Sequence, residues 1–87
     1  MKLECDDAGD LFVDPEMLAV RLCLHPRELR RRMRVGLVTS LIEIGTGDDE
    51  GRRRVTVRTG RIAWRAIVGA DNSVLREERI SIAAPTS

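Results

Sequence analysis

Residues 53–68, RRVTVRTGRIAWRAIV, decide the fold. Val55 and Val57 alternate with Arg54, Thr56 and Arg58, the period of two that marks a half-buried strand. Thr59-Gly60 supplies hairpin-turn chemistry. Beyond the turn Ile62, Trp64, Ala66 and Val68 alternate with Arg61, Ala63, Arg65 and Ile67, so the next strand keeps its own apolar face. Trp64 stands on that face and is expected to anchor the core. With no second ring beside it, the strand makes no stacking platform for single-stranded nucleic acid.

Outward from this hairpin the strands continue on both sides. Asp71-Asn72-Ser73 reads as a turn and Val74 to Ile82 as a last strand, followed by a frayed tail, 83–87. Upstream, Leu37 to Ile44 is β-branched and apolar, and Gly45 to Gly51 (GTGDDEG) is a polar loop. The result is an antiparallel meander of three to four strands.

Two short helices precede the meander. Asp14 can cap the first, Pro15 suits its first position, and Glu16 favours its positive end. Met17, Leu18, Val20 and Leu22 are expected to bury, with the helix ending near Leu24. His25-Pro26-Arg27-Glu28 opens the second helix, and the residue before a proline resists helical geometry. Leu29 and Met33, at i and i+4, should bury, and Gly36 should end the helix in a left-handed cap. Lys2 to Cys5 and Asp10 to Val13, around Asp6-Asp7-Ala8-Gly9, suggest a hairpin at the start. The expected fold is therefore α+β: a hairpin, a two-helix unit and a meander in a single domain, 1–82.

Charge narrows the functions. The 87 residues are 43% hydrophobic and 33% charged, a globular composition, and 15 basic against 14 acidic residues leave a net charge of +1. That balance is uneven along the chain. Residues 1–20 hold one base and six acids, residues 21–65 twelve arginines and five acids, and residues 66–87 two arginines and three acids. Arg52, Arg54 and Arg58 fall on one side of their strand, and Arg61 and Arg65 on one side of the next. Matched sides would make a basic ribbon, unless Glu43, Glu77, Glu78 and the acids of the loop at 48–50 neutralise it. The start lacks the apolar run of a signal peptide, and no stretch approaches the roughly twenty apolar residues of a membrane span. A cytoplasmic protein is expected.

Catalytic material is thin. His25 is the only imidazole, there is no tyrosine, and no Gly-x-Ser-x-Gly elbow appears. Cys5, Cys23 and His25 lack metal-ligand spacing, and Gly45, Gly47 and Gly51 do not lead from a strand into a helix as a phosphate loop does. No catalytic residue, cofactor or metal is expected. The best local motif is Leu18 to Leu29 (LAVRLCLHPREL), which has the outline of a helix-turn-helix. Ala19 is the small contact residue, and Leu18, Leu22, Leu24 and Leu29 are the apolar anchors. Cys23 stands where that motif usually has glycine. Arg32 stands where it usually has an apolar residue, a task expected to pass to Met33. Arg27, Arg30, Arg31 and Arg34 are the candidate contacts to nucleic acid or another anionic partner.

Taken from Phe12 to Glu77, the chain resembles a family of small uncharacterised bacterial proteins, a domain of unknown function best known from alphaproteobacteria. The resemblance rests on Phe12-Val13-Asp14, on Leu29 to Val38 (LRRRMRVGLV) and on Val55 to Leu75 (VTVRTGRIAWRAIVGADNSVL). It implies one bacterial, cytosolic α+β domain and brings no catalytic residues. The expected role is a non-enzymatic protein-interaction or regulatory module with a protein partner or a homodimer. The alternative is a DNA-binding regulator with a β wing.

Overall fold

The computed structural model describes residues 2–5 and 11–81. The turn expected at Asp6-Asp7-Ala8-Gly9, together with Asp10, Ile82 and the tail 83–87, lies outside them. Strands β1 (Glu4–Cys5) and β2 (Leu11–Phe12) pair antiparallel, Glu4 against Phe12. Helices α1 (Pro15–Arg21) and α2 (Pro26–Arg34) follow, and then strands β3 (Val38–Ile44), β4 (Arg53–Thr59), β5 (Ile62–Val68) and β6 (Val74–Ser81). These four form one antiparallel sheet in sequence order, with a single 3-10 turn, Gly47–Asp49, between β3 and β4. The architecture is α+β.

The alternation in β4 and β5 sets the register. Val57 lies opposite Trp64 and Val55 opposite Ala66, so both apolar rows share one face. Leu18 and Leu22, from α1 and the turn after it, and Leu29 of α2 pack on that face around Trp64 and Val68. Trp64 is fully buried, and its indole N–H donates to Glu77 Oε1 at 3.3 Å, which satisfies the polar end of an otherwise apolar ring. Leu3 adds to the core from the chain start, where its N–H donates to the Asn72 carbonyl at 2.8 Å.

Both helices begin and end by the same devices. Asp14 Oδ1 accepts from the Glu16 N–H at 3.0 Å, and His25 Nδ1 accepts from the Arg27 N–H at 3.1 Å, each with proline at the first helical position. At the far end of α1 the N–H groups of Cys23 and Leu24 donate to the carbonyls of Val20 and Ala19. At the end of α2 those of Gly36 and Leu37 donate to Met33 and Arg32. Both are Schellman closures, which require a left-handed residue just past the helix. Gly36 (φ 77°) suits this, and Cys23 (φ 56°) adopts it despite its side chain.

Two burial expectations fail. Val20 is 67% exposed, because it lies on the side of this two-turn helix away from Leu18 and Leu22. Met33 is 47% exposed, and the half-buried position falls to Arg32 instead. Arg32 Nη1 donates to the buried Thr59 hydroxyl at 3.4 Å, so the arginine stem lies over the end of β4 and its head supplies Thr59 with a hydrogen bond.

Candidate interaction surfaces

Three surfaces hold the groups that could meet a partner: the outer side of α2, the uncovered face of the sheet, and the β3 edge. On α2, Arg27, Arg30, Arg31 and Arg34 follow an i, i+3, i+4, i+7 spacing and all are exposed, so they form one stripe. Two of the four are engaged by carboxylates. Glu28 accepts from Arg31 through Nε at 3.0 Å and Nη2 at 2.7 Å, and from Arg32 Nε at 3.0 Å. Hydrogen bonding from Arg31, and then from Arg32, holds the Glu28 carboxyl down at about 2. Arg30 reaches Glu16 at 3.5 Å. Arg27 and Arg34 have no carboxylate partner among the described residues.

The turn between the helices places Cys23 outward, where Arg79 Nη1 donates to its Sγ. His25 is occupied as a helix cap. Among the described residues no three of His, Cys, Asp and Glu gather as metal ligands would.

The face of the sheet away from the helices carries the arginine ribbon. Arg54, Arg58 and Arg65 do share this face, since Arg58 lies opposite Ala63, and Arg65 opposite Thr56. On the outer strands Arg54 and Arg65 face acids, whereas Arg58 faces Thr39. Arg54 binds Glu43 through two hydrogen bonds, 2.8 and 2.6 Å, which holds the Glu43 carboxyl below the usual carboxylate range. Arg65 meets Glu78 at 3.5 Å, while its buried Nε finds no hydrogen-bond partner among the described residues. Arg58 has no ion pair there either. An open groove of about 750 Å³ lies at the β3–β4 loop end, with Glu43, Arg52, Arg54, Ile67, Leu75 and Arg76 in its lining.

The sheet has two unlike edges. β6 presents Arg76, Glu77, Glu78 and Arg79 in succession, and charge on an edge strand discourages further pairing. β3, VTSLIEI, carries only Glu43, whose charge Arg54 answers. Leu41 is 57% exposed and Ile44 78%, Ile42 between them is exposed as well, and so are Val35 and Leu37 just before the strand begins. The ladder shows which backbone groups are spent. Gly45 N–H donates to the Arg52 carbonyl at 2.9 Å, which makes this a hydrogen-bonded pair in the same register as β3 and β4. Such pairs alternate along an antiparallel ladder. Thr39, Leu41 and Glu43 therefore bond to β4, and the N–H and C=O groups of Val38, Ser40, Ile42 and Ile44 point off the sheet.

The stripe on α2 and the ribbon were legible in the sequence. The β3 edge was not singled out, although a signal was present: seven residues without a base, proline or glycine.

No helix among the described residues is long and apolar enough to cross a membrane. No curated protein and no solved structure matches the chain. A family model does match, over residues 1–87, and the chain belongs to that family of unknown function (DUF6522).

Proposed function

We propose that the chain is a non-catalytic, cytoplasmic protein-interaction module that takes an extended protein segment onto β3 as an additional strand. The observation that carries this reading is β3 itself: a seven-residue edge with four residues of outward backbone groups, apolar side chains, and no charge guard like that of β6. In such strand addition the main chain supplies affinity and alternate side chains supply selectivity.

A second reading is supported by the turn between the helices. Cys23 adopts the left-handed conformation that a helix-turn-helix needs at this place, and Arg27 and Arg34 remain open on α2. On that reading the stripe Arg27, Arg30, Arg31, Arg34 meets DNA phosphates. The engagement of Arg30 and Arg31 by Glu16 and Glu28 weighs against it.

Displayed random peptides of about ten residues, roughly the upper length of an ordinary strand, separate the two readings. The first expects β-prone binders that are lost with Ile42→Lys and kept with Arg30→Ala/Arg31→Ala. Absence of binders at concentrations where the chain is monomeric, or binders indifferent to Ile42→Lys, would overturn it. Duplex DNA binding that weakens steeply with salt and is lost in the arginine variant would promote the second.

A further inference from the structure

We infer that the occupant of the β3 edge is a second copy of the same chain, paired antiparallel in the register centred on Leu41. The inference rests on the proposed role of that edge and names the partner.

The ladder allows only an axis on a residue, and pairing the whole of β3 places it on Leu41. A two-fold axis at Leu41 sets Val38 opposite Ile44 of the second copy, Thr39 opposite Glu43, Ser40 opposite Ile42, and Leu41 opposite itself. Every outward-pointing residue then meets an outward-pointing residue, as hydrogen-bonded pairs demand. All seven residues of β3 find partners, and the two four-stranded sheets become one continuous sheet. A shift by one residue would set outward groups against spent ones. Centring the axis on Glu43 would bring the two Glu43 carboxylates face to face, which is repulsive.

Side chains agree with the backbone on both faces. On the helix-bearing face, Ile44 lies against Val38 of the other copy and Ile42 against Ser40, which removes Ile44, 78% exposed in the single chain, from water. On the opposite face the row across the junction reads Arg58, Thr39, then Glu43 and Arg54 of the second copy. Arg58 and that Glu43 stand two strands apart, about 10 Å between backbones, with only the short Thr39 between them. Arginine and glutamate side chains together cover that gap. Arg58, which has no ion pair among the described residues, thus gains a carboxylate, and Glu43 gains a second guanidinium. The symmetry repeats each contact, as an isologous interface does.

The axis gives a sharp test. Leu41 and its symmetry mate form a non-hydrogen-bonded pair, with Cα atoms about 4.5 Å apart. That lies inside the disulfide range of roughly 4.4–6.8 Å. Thr39 is on the same face but lies about 13 Å from its own mate, four residues along the strand. In a Cys5→Ser/Cys23→Ser background, mild oxidation should convert Leu41→Cys to a species of doubled mass at least about tenfold faster than Thr39→Cys. Sedimentation of the unmodified chain should show mass rising toward two chains with concentration, independent of any substituted protein.

Equal rates for the two cysteines, or a faster Thr39→Cys, would overturn the register. A chain that stays monomeric at all concentrations would overturn the second copy. Peptide binding at β3 that persists in such a monomer leaves the edge reading standing, so the two failures are told apart.

Discussion

At the scale of the residue, Cys23 shows a local rule broken and compensated. A left-handed residue with a side chain costs about 1–2 kcal/mol relative to glycine in the same geometry. The Schellman bonds of Cys23 and Leu24 to Val20 and Ala19, and the burial of Leu22 beside them, hold it there. Cys23→Gly relieves the strain and gives back part of the gain through the freer unfolded chain. Stability should rise by about 0.5–1 kcal/mol, read as a higher midpoint in urea with unchanged slope. A lower midpoint would mean that the Arg79 contact to the sulfur matters more than the backbone. The need for a left-handed residue at position 23 was legible from the motif outline. The exchange of roles between Met33 and Arg32 was not. It depends on Thr59, twenty-seven positions away, offering a buried hydroxyl to a guanidinium. Periodicity along one helix contains no such information.

At the scale of the element, α2 is held together by its own charges as well as by Leu29. Glu28 receives both Arg31 and Arg32, one turn further along, and its folded pKa of about 2 lies below the ordinary 4.5. A carboxylate with a depressed folded pKa stabilises the native state fully above its unfolded value and loses that contribution as pH falls toward the folded one. The loss attached to Glu28 therefore falls between about pH 4.5 and pH 2. Glu28→Gln should flatten the acid-side fall in thermal midpoint within this window. Glu43 and Asp71 are lowered too, by Arg54 and by the Ser73 N–H, so part of the fall should remain. An unchanged acid limb would show that Glu28 meets the same arginines in the unfolded chain. The strands divide the same way between what local sequence contains and what it does not. β4 and β5 alternate cleanly because one of their faces is covered, and the pairing of Val57 with Trp64 follows from that pattern. β3 carries apolar side chains on both faces, Ile42 and Ile44 on one and Leu41 on the other, so its sequence says strand without saying which neighbour lies beyond it.

At the scale of the whole molecule, the extents of 39 × 31 × 20 Å describe one sheet with a short helical layer on one face. A chain of this length buries only about 60–65% of the surface it exposes when unfolded, so its core is small. The helices, seven and nine residues long, reach Trp64 and its neighbours but leave Ile42 and Ile44 at the β3 edge uncovered. Pairing through β3 would extend that core without new chain, and stability would then depend on concentration. If folding and pairing are tightly coupled, a tenfold rise in protein concentration should lift the thermal midpoint by about 3–5 °C for a domain of this size. Ser40→Pro is the informative variant, because the Ser40 N–H points off the sheet. Proline is tolerated on an edge strand when the missing donor faces outward. The variant should keep the β4 ladder and fold, and its midpoint should not move with concentration. Leu41→Pro, one residue on, removes a donor that bonds to β4 and should lower the midpoint at every concentration. A wild-type midpoint as indifferent to concentration as that of Ser40→Pro would mean that β3 contributes nothing to stability through a second copy.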